Sequence, residues 1–164
     1  MIDKTTNSKA DETDNMKKLY LMRHGETLFN KLGKIQGASD SPLTEVGIKQ
    51  ARIAKEYFQN HNIKLDAYYS STQERASDTL EIIIGNKKYK RIRELKEWNF
   101  GIFEGEREYL NPKRPIGETS YGDSFVPYGG ESSKVVQERI NKGLTKIMEQ
   151  ENNQNVLAVS HAPP

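Results

Sequence analysis

Apolar residues come in short runs whose period changes along the chain. Leu19-Tyr20-Leu21-Met22, behind Lys17-Lys18, is a compact apolar stretch that reads as a buried strand. From Thr44 the spacing turns helical. Thr44 stands where an N-cap belongs, with Gly47 one turn on, and Ile48, Ala51, Ile53, Ala54, Tyr57 and Phe58 form one stripe. Leu65 to Tyr69 reads as the next strand, and Gln73 to Ile84 as a helix turning Ala76, Leu80, Ile83 and Ile84 inward. Arg91 to Leu95 reads as a third strand. A helix from about Ser132 to Gln150 carries Val135, Val136, Ile140, Leu144 and Ile147 at helical spacing, and Val156-Leu157-Ala158-Val159 is a final apolar strand.

Strands alternating with helices predict an α/β fold, a three-layer α/β/α sandwich around a mostly parallel central sheet. Two segments fall outside that pattern. Residues 1–15 hold almost no large apolar groups and cannot bury enough surface to offset the entropy of ordering them, so they read as a disordered N-terminal extension. Met16 is a second candidate start, with the extension as the stub of a removed signal or lipid anchor. Residues 16–164 then form one domain, within which 106–130, rich in proline, glycine and tyrosine, read as loop.

Composition sharpens this by exclusion. Hydrophobic residues are 34% and charged ones 29%, polar for a folded domain, and the net charge of +2 gives no global field toward nucleic acid or membrane. The basic run Lys87-Lys88-Tyr89-Lys90-Arg91 reads as a solvated turn; nucleic-acid binding needs a second patch or an aromatic platform, and neither is present. No apolar run is long enough for a membrane span, and the expected location is the cytoplasm. The absence of cysteine excludes disulfides, thiolate metal sites and a cysteine nucleophile.

In open α/β sheets ligands bind beyond the carboxyl ends of the strands, and three polar motifs stand there. Arg23-His24-Gly25-Glu26-Thr27 follows the first strand. A histidine there offers a neutral imidazole near pH 7, a glycine lets backbone approach a bound group, and an arginine presents a planar fork matched to phosphate oxygens. Asn30, one turn on, adds a donor. Ser70-Ser71-Thr72-Gln73-Glu74-Arg75 follows the second strand and puts Arg75 in the first turn of a helix, where anions are favoured. Ser160-His161-Ala162 ends the last strand. Together they predict a cationic pocket sized for one phosphoryl group. Of the remaining candidates, His61 reads as a solvent-facing loop residue, Glu26 as an acid–base alternative, Asp40 as a turn stabiliser and Glu131 as a helix-start residue. Ser70 reads as a phosphate contact or a helix cap. The dispersed histidines and the repelling arginines leave no zinc site, and no metal or cofactor is expected.

Leu21-Met22-Arg23-His24-Gly25-Glu26-Thr27 resembles the signature of the histidine phosphatase superfamily, the phosphoglycerate-mutase-like branch 1. Asn30, Gln36-Gly37, Asp40-Ser41-Pro42-Leu43-Thr44 and Gly47 are similar to its next block. Ser70-Ser71 with Arg75-Ala76 and Thr79, Leu95 to Gly101 with Glu104-Gly105, Gly129 to Ser132, and Val159-Ser160-His161 follow in family order. The resemblance implies that His24 is the phosphorylated nucleophile, that Arg23, Arg75, His161, Gly25 and Asn30 hold the phosphate, and that Glu97 is the proton donor. By position in the 106–130 segment alone, Tyr109, Lys113, Arg114 and Tyr121 read as a substrate lid. The activity it implies is metal-independent hydrolysis of a small phosphorylated metabolite. A mutase, or a phosphate-binding relic, remains as an alternative, and the short 106–130 segment favours water as the acceptor. Relatives ordinarily continue beyond the second histidine through another helix and strand. The chain therefore reads as C-terminally incomplete, with an open sheet edge suited to self-association.

Overall fold

The last strand is the one around which the others assemble. In a computed structural model, residues 16–114 and 116–162 are described; the predicted extension over residues 1–15 lies outside them. The strands are β1 (Lys18–Arg23), β2 (Ala67–Ser71), β3 (Lys90–Ile92) and β4 (Asn155–Ser160), in a four-stranded sheet ordered β1-β4-β2-β3 with every pairing parallel. Val156 through Val159 are 0% exposed, as expected of a central strand covered on both faces.

The helices are α1 (Leu28–Lys31), α2 (Glu45–Asn60), α3 (Glu74–Ile84) and α4 (Ser133–Met148). On one face of the sheet Leu157 and Val159 pack with Ala51 of α2 and Ala76, Leu80, Ile83 and Ile84 of α3. On the other, Val156 and Ala158 pack with Tyr69, Leu95 and Ile147 of α4. The alternation along β4 follows from the two-residue period of a strand. Fully buried leucines such as Leu80, Leu95 and Leu157 each contribute roughly 2 kcal/mol by leaving water. A third cluster, Trp98, Phe125 and Val136 with Phe100, Phe103 and Tyr121, anchors the long segment before α4. Among the described residues no helix is long and apolar enough to cross a membrane.

Local chemistry sets the helix starts. Thr44 caps α2 by accepting from the Gly47 N–H, and Ser132 caps α4 by accepting from Val135 N–H. Elsewhere the pattern misleads. Ile53, Tyr57 and Val135 belong to predicted apolar stripes yet are about half exposed, at 55%, 51% and 49%. α2 instead buries Gly47 and Ala51, small residues that permit close approach. The expected third strand is short: after Ile92 the chain turns into a 3₁₀ turn, Arg93–Leu95, which drops Leu95 into the core. β2 runs further than expected, through Ser70 and Ser71, because both hydroxyls find buried partners.

Candidate active site

Register alone gathers the three motifs. Arg23 pairs with Ser160 across β1 and β4, and Ser70 with Val159 across β2 and β4. His24, Ser71 and His161 therefore leave the sheet side by side, with the His24 and His161 rings 5.2 Å apart between centroids. His24 N–H donates to the Ser160 carbonyl at 3.0 Å, extending the ladder one residue past β1.

The tautomer of His24 follows from its neighbours. Nδ1 lies 2.7 Å from the Gly25 carbonyl, which can only accept, so Nδ1 carries the proton. Arg75 Nε–H donates to Nε2 at 3.3 Å, so Nε2 presents its lone pair. Burial, with the charges of Arg75 and Arg23 adding to it, pushes the His24 pKa down to about 4, against the raising effect of the Gly25 bond. The ring is neutral at physiological pH. The loop carrying it is wedged against α2: a Cβ on Gly25 would meet the Gly47 carbonyl oxygen at 2.5 Å, and one on Gly47 would meet the Glu26 oxygen at 2.1 Å.

Arg75 has a side chain 0% exposed. It spends Nη1 on the Ser39 carbonyl (2.7 Å) and on Asp40 Oδ1 (3.0 Å), and Nη2 on the Gly37 carbonyl (2.8 Å). Asp40 is thus the counter-ion of a buried guanidinium as well as the acceptor of the Glu74 N–H at 2.6 Å, a larger part than the turn stabiliser expected. Behind this loop the Glu104 carboxylate accepts from Ala38 N–H, Ser39 N–H, the Ser39 hydroxyl and Phe100 N–H, at 2.8 to 3.1 Å.

His161, with a side chain 2% exposed, sits with Nε2 2.9 Å from Ser71 Oγ and Nδ1 3.7 Å from Glu97 Oε2. Ser71 Oγ also accepts the Gln73 backbone N–H at 3.2 Å and donates to Gln73 Oε1 at 3.3 Å, so it ties the His161 ring to Gln73. His161 Nδ1 is buried and makes no hydrogen bond among the described residues. Burial, with Arg75 and His24 nearby, holds His161 well below its ordinary pKa. Burial pushes Glu97 in the opposite direction, above the usual carboxylate range, although the Trp98 N–H, Arg75, Arg23 and Arg139 pull it back. Its Oε1 accepts the Trp98 N–H at 2.8 Å.

His24 and Glu97 open on a cavity of about 430 Å³ lined also by Arg23, Asn30, Lys34 and Tyr121, while the side chains of Arg75 and His161 are buried beside it. Of the residues singled out in the sequence, His24, Arg75, Glu97 and His161 converge, Gly25 carries the backbone carbonyl, and Arg23 borders the cavity from an exposed position. Asn30 borders it too, and its Oδ1 accepts from Thr27 N–H and Oγ1 in a capping box, which leaves its Nδ2 as the donor. The expected lid is mostly elsewhere. Tyr121 lines the cavity, whereas Tyr109 (83% exposed), Lys113 and Arg114 do not, because the 3₁₀ turn Glu108–Leu110 directs Glu108 and, beyond it, Asn111 inward. Arg114 stacks on Tyr121 instead, 5.3 Å from its ring centroid. Ser70 neither caps α3 nor reaches the cavity; its hydroxyl bonds the Ser71 carbonyl and Ser77. Glu131 precedes the α4 cap, Ser132, and is not part of the helix start expected of it; it accepts the Asn99 N–H and pairs with Arg139 at 2.9 Å. His61 is exposed, as expected. Sequence reasoning passed over Arg139, whose guanidinium also binds the Glu94, Lys96 and Glu97 carbonyls. A charged residue at an ordinary helix position gives no signal of such a task. Among the described residues no three His, Asp or Glu side chains cluster as metal ligands.

The profile of the histidine phosphatase superfamily (branch 1) matches residues 19–164. The Yersinia pestis protein named "Probable phosphoglycerate mutase GpmB" is 34% identical over 155 residues, covering 89% of this chain and 70% of the relative. Among solved structures, the phosphoserine phosphatase of Entamoeba histolytica in complex with 3-phosphoglyceric acid is 35% identical, with a TM-score of 0.74 over 90% of this chain and 75% of that one. A phosphoglycerate mutase from Bacillus anthracis is 29% identical, with a TM-score of 0.76 over 92% and 78%. With the profile spanning nearly all of the described residues and the fold shared with these structures, the chain belongs to the histidine phosphatase superfamily, branch 1.

Proposed function

We propose that this chain is a metal-independent phosphomonoesterase that hydrolyses a small phosphorylated metabolite through a phosphohistidine at His24. The observation that carries the reading is the tautomer of His24: Nδ1–H is committed to the Gly25 carbonyl, and the lone pair of Nε2 lies among Arg75, His161 and the cavity. Nε2 forms a bond to phosphorus as the ester P–O bond breaks, and a proton from Glu97 goes to the departing oxygen, releasing the alcohol. Water then attacks the phosphohistidine, Glu97 takes its proton, the P–N bond breaks, and phosphate leaves with His24 restored. Arg75, Arg23 and His161 offset charge on the phosphoryl oxygens, the electrostatic work that phosphoryl transfer asks of a protein. The raised proton affinity of Glu97 suits an acid that must hold its proton until the leaving group needs it.

A mutase is the second reading, favoured by the names of the Yersinia and Bacillus relatives. It differs by returning the phosphoryl group to substrate, and its turnover depends on a bisphosphate primer. The test is hydrolysis of an aryl phosphate in excess EDTA, native chain against His24→Ala. Turnover by the first alone supports the phosphatase. Equal turnover by both removes His24 as the nucleophile, and activity that appears only with a bisphosphate selects the mutase.

A further inference from the structure

Gln73 is the N-cap residue of α3, yet its side chain makes no capping bond. The residue is 5% exposed, and a buried amide needs partners. It finds them across the site. Oε1 accepts the Glu97 backbone N–H at 2.9 Å and the Ser71 hydroxyl at 3.3 Å, and Nε2 donates to the Gly37 carbonyl at 2.8 Å. Its backbone N–H holds Ser71 Oγ, which in turn holds His161. The Gly37 carbonyl is the one that also receives Arg75 Nη2. One amide thus joins the acceptor that orients the arginine to the donor on the residue read here as the acid.

We infer that Gln73 is a positioning residue, setting the Glu97 carboxyl relative to the phosphate cradle; the inference rests on the reading of Glu97 as proton donor. Residues 96–100 belong to no strand or helix, so no ladder fixes the Glu97 backbone. Its N–H would be unpaired without Gln73. The remaining hydrogen bonds on Glu97 are its own Trp98 contact and a longer bond, 3.3 Å, from Arg139 to its carbonyl, with His161 Nδ1 3.7 Å from its Oε2. Arg75 and His24 keep their other partners whatever residue stands at 73. Ser71 loses its bond to the amide but keeps the Gln73 backbone N–H, so loss of the amide acts chiefly on protonation of the leaving group and leaves the arginine that holds phosphate in place. General-acid assistance matters where the leaving oxygen is a poor one and fades where it departs unaided.

The test compares an alkyl phosphate with a dinitrophenyl phosphate on the native chain, Gln73→Leu, Gln73→Glu and Glu97→Gln, with vanadate inhibition as the measure of the phosphate cradle. For Gln73→Leu the expected result is a loss of about tenfold or more on the alkyl ester, with the dinitrophenyl ester and vanadate binding changed less than about threefold. Gln73→Glu keeps an acceptor for the Glu97 N–H and recovers most of the alkyl-ester rate. Equal losses on both esters, or none, overturn the inference. If Glu97→Gln itself shows no leaving-group dependence, the acid assignment fails and takes the inference with it; if only the Gln73 variants lack that dependence, the positioning role alone fails. Hydrogen exchange on the native chain reads the contact without any substitution. The Glu97 amide is expected to be protected, and exchange at the rate of an open loop overturns the inference even where Gln73→Leu does not fold.

Discussion

Arg75 Nε stands 3.3 Å from His24 Nε2, the nitrogen that attacks phosphorus in the proposed reaction. The guanidinium can only donate, so before substrate arrives it shields the lone pair that the reaction needs. A phosphate entering the cradle offers its oxygens to the same N–H groups, and the arginine that blocks the nucleophile becomes the one that holds the electrophile. Substrate binding and exposure of the nucleophile are then one exchange of hydrogen bonds.

Arg75→Lys tests that exchange. A lysine keeps the charge beside Asp40 but cannot reach the Ser39 and Gly37 carbonyls and Nε2 together. The expected loss in kcat/KM is on the order of a hundredfold, with a drop in unfolding free energy of about 3 kcal/mol from the disrupted buried pair. Stopped-time assays and urea titration measure the two. Activity within a few-fold of native argues against Arg75 as a phosphate ligand.

Stability should carry the signature of neutral His24. Its pKa is about 4 folded against 6.5 unfolded. Above pH 6.5 neither state is protonated and the contribution is fully present. As the pH falls toward 4 only the unfolded chain takes up a proton, so stability is lost across that window, by roughly 3 kcal/mol. His161 adds loss in the same direction. Urea midpoints of the native chain and His24→Gln between pH 7 and 4 should converge as the pH falls; parallel curves would contradict a neutral, buried His24.

Glu97 sets the other side of the pH dependence. A carboxyl raised by burial keeps its proton to higher pH than an exposed glutamate, and loses it as the pH rises further. Hydrolysis of an alkyl phosphate should therefore fall at high pH, while a dinitrophenyl ester keeps its rate. Glu97→Gln should abolish this difference in profile, with a loss of about a hundredfold on the alkyl ester.

Gly47 has no side chain to offer a substrate, and Gly47→Ala should nonetheless harm both stability and turnover. The new Cβ would fall 2.1 Å from the Glu26 carbonyl oxygen, a backbone atom that cannot swing aside. The expected cost is about 2 kcal/mol, as for other forced insertions into packed structure, together with a displaced His24 loop. Thermal unfolding and kcat on one preparation decide it; an unchanged melting temperature would show that the loop yields.

The parts of the molecule legible in the sequence are those where chemistry and chain direction coincide. Val156 to Val159 reads as a strand because a strand covered on both faces has no polar position to spare, although its central place in the sheet is set by the pairing order. His24, Arg75 and His161 were legible because each follows a strand, and parallel strands deliver their ends to one edge. What stayed hidden depended on contacts between distant segments. Asp40 is 35 residues from the arginine it pairs with, and Gln73 is 24 from the glutamate it holds. Tyr109, Lys113 and Arg114 were assigned to the cavity by position in the loop alone, and the 3₁₀ turn before them sends a different set inward.

Glu104 takes no part in the proposed reaction, yet its carboxylate gathers four donors from two loops behind the Arg75 cradle. Removing it would loosen the carbonyls that aim the guanidinium, and the variant would resemble one that had lost a reacting group. In a mutational survey of this chain, inactivity maps the masonry around the phosphate as faithfully as it maps the chemistry, and leaving-group dependence marks only the variants that act through the acid.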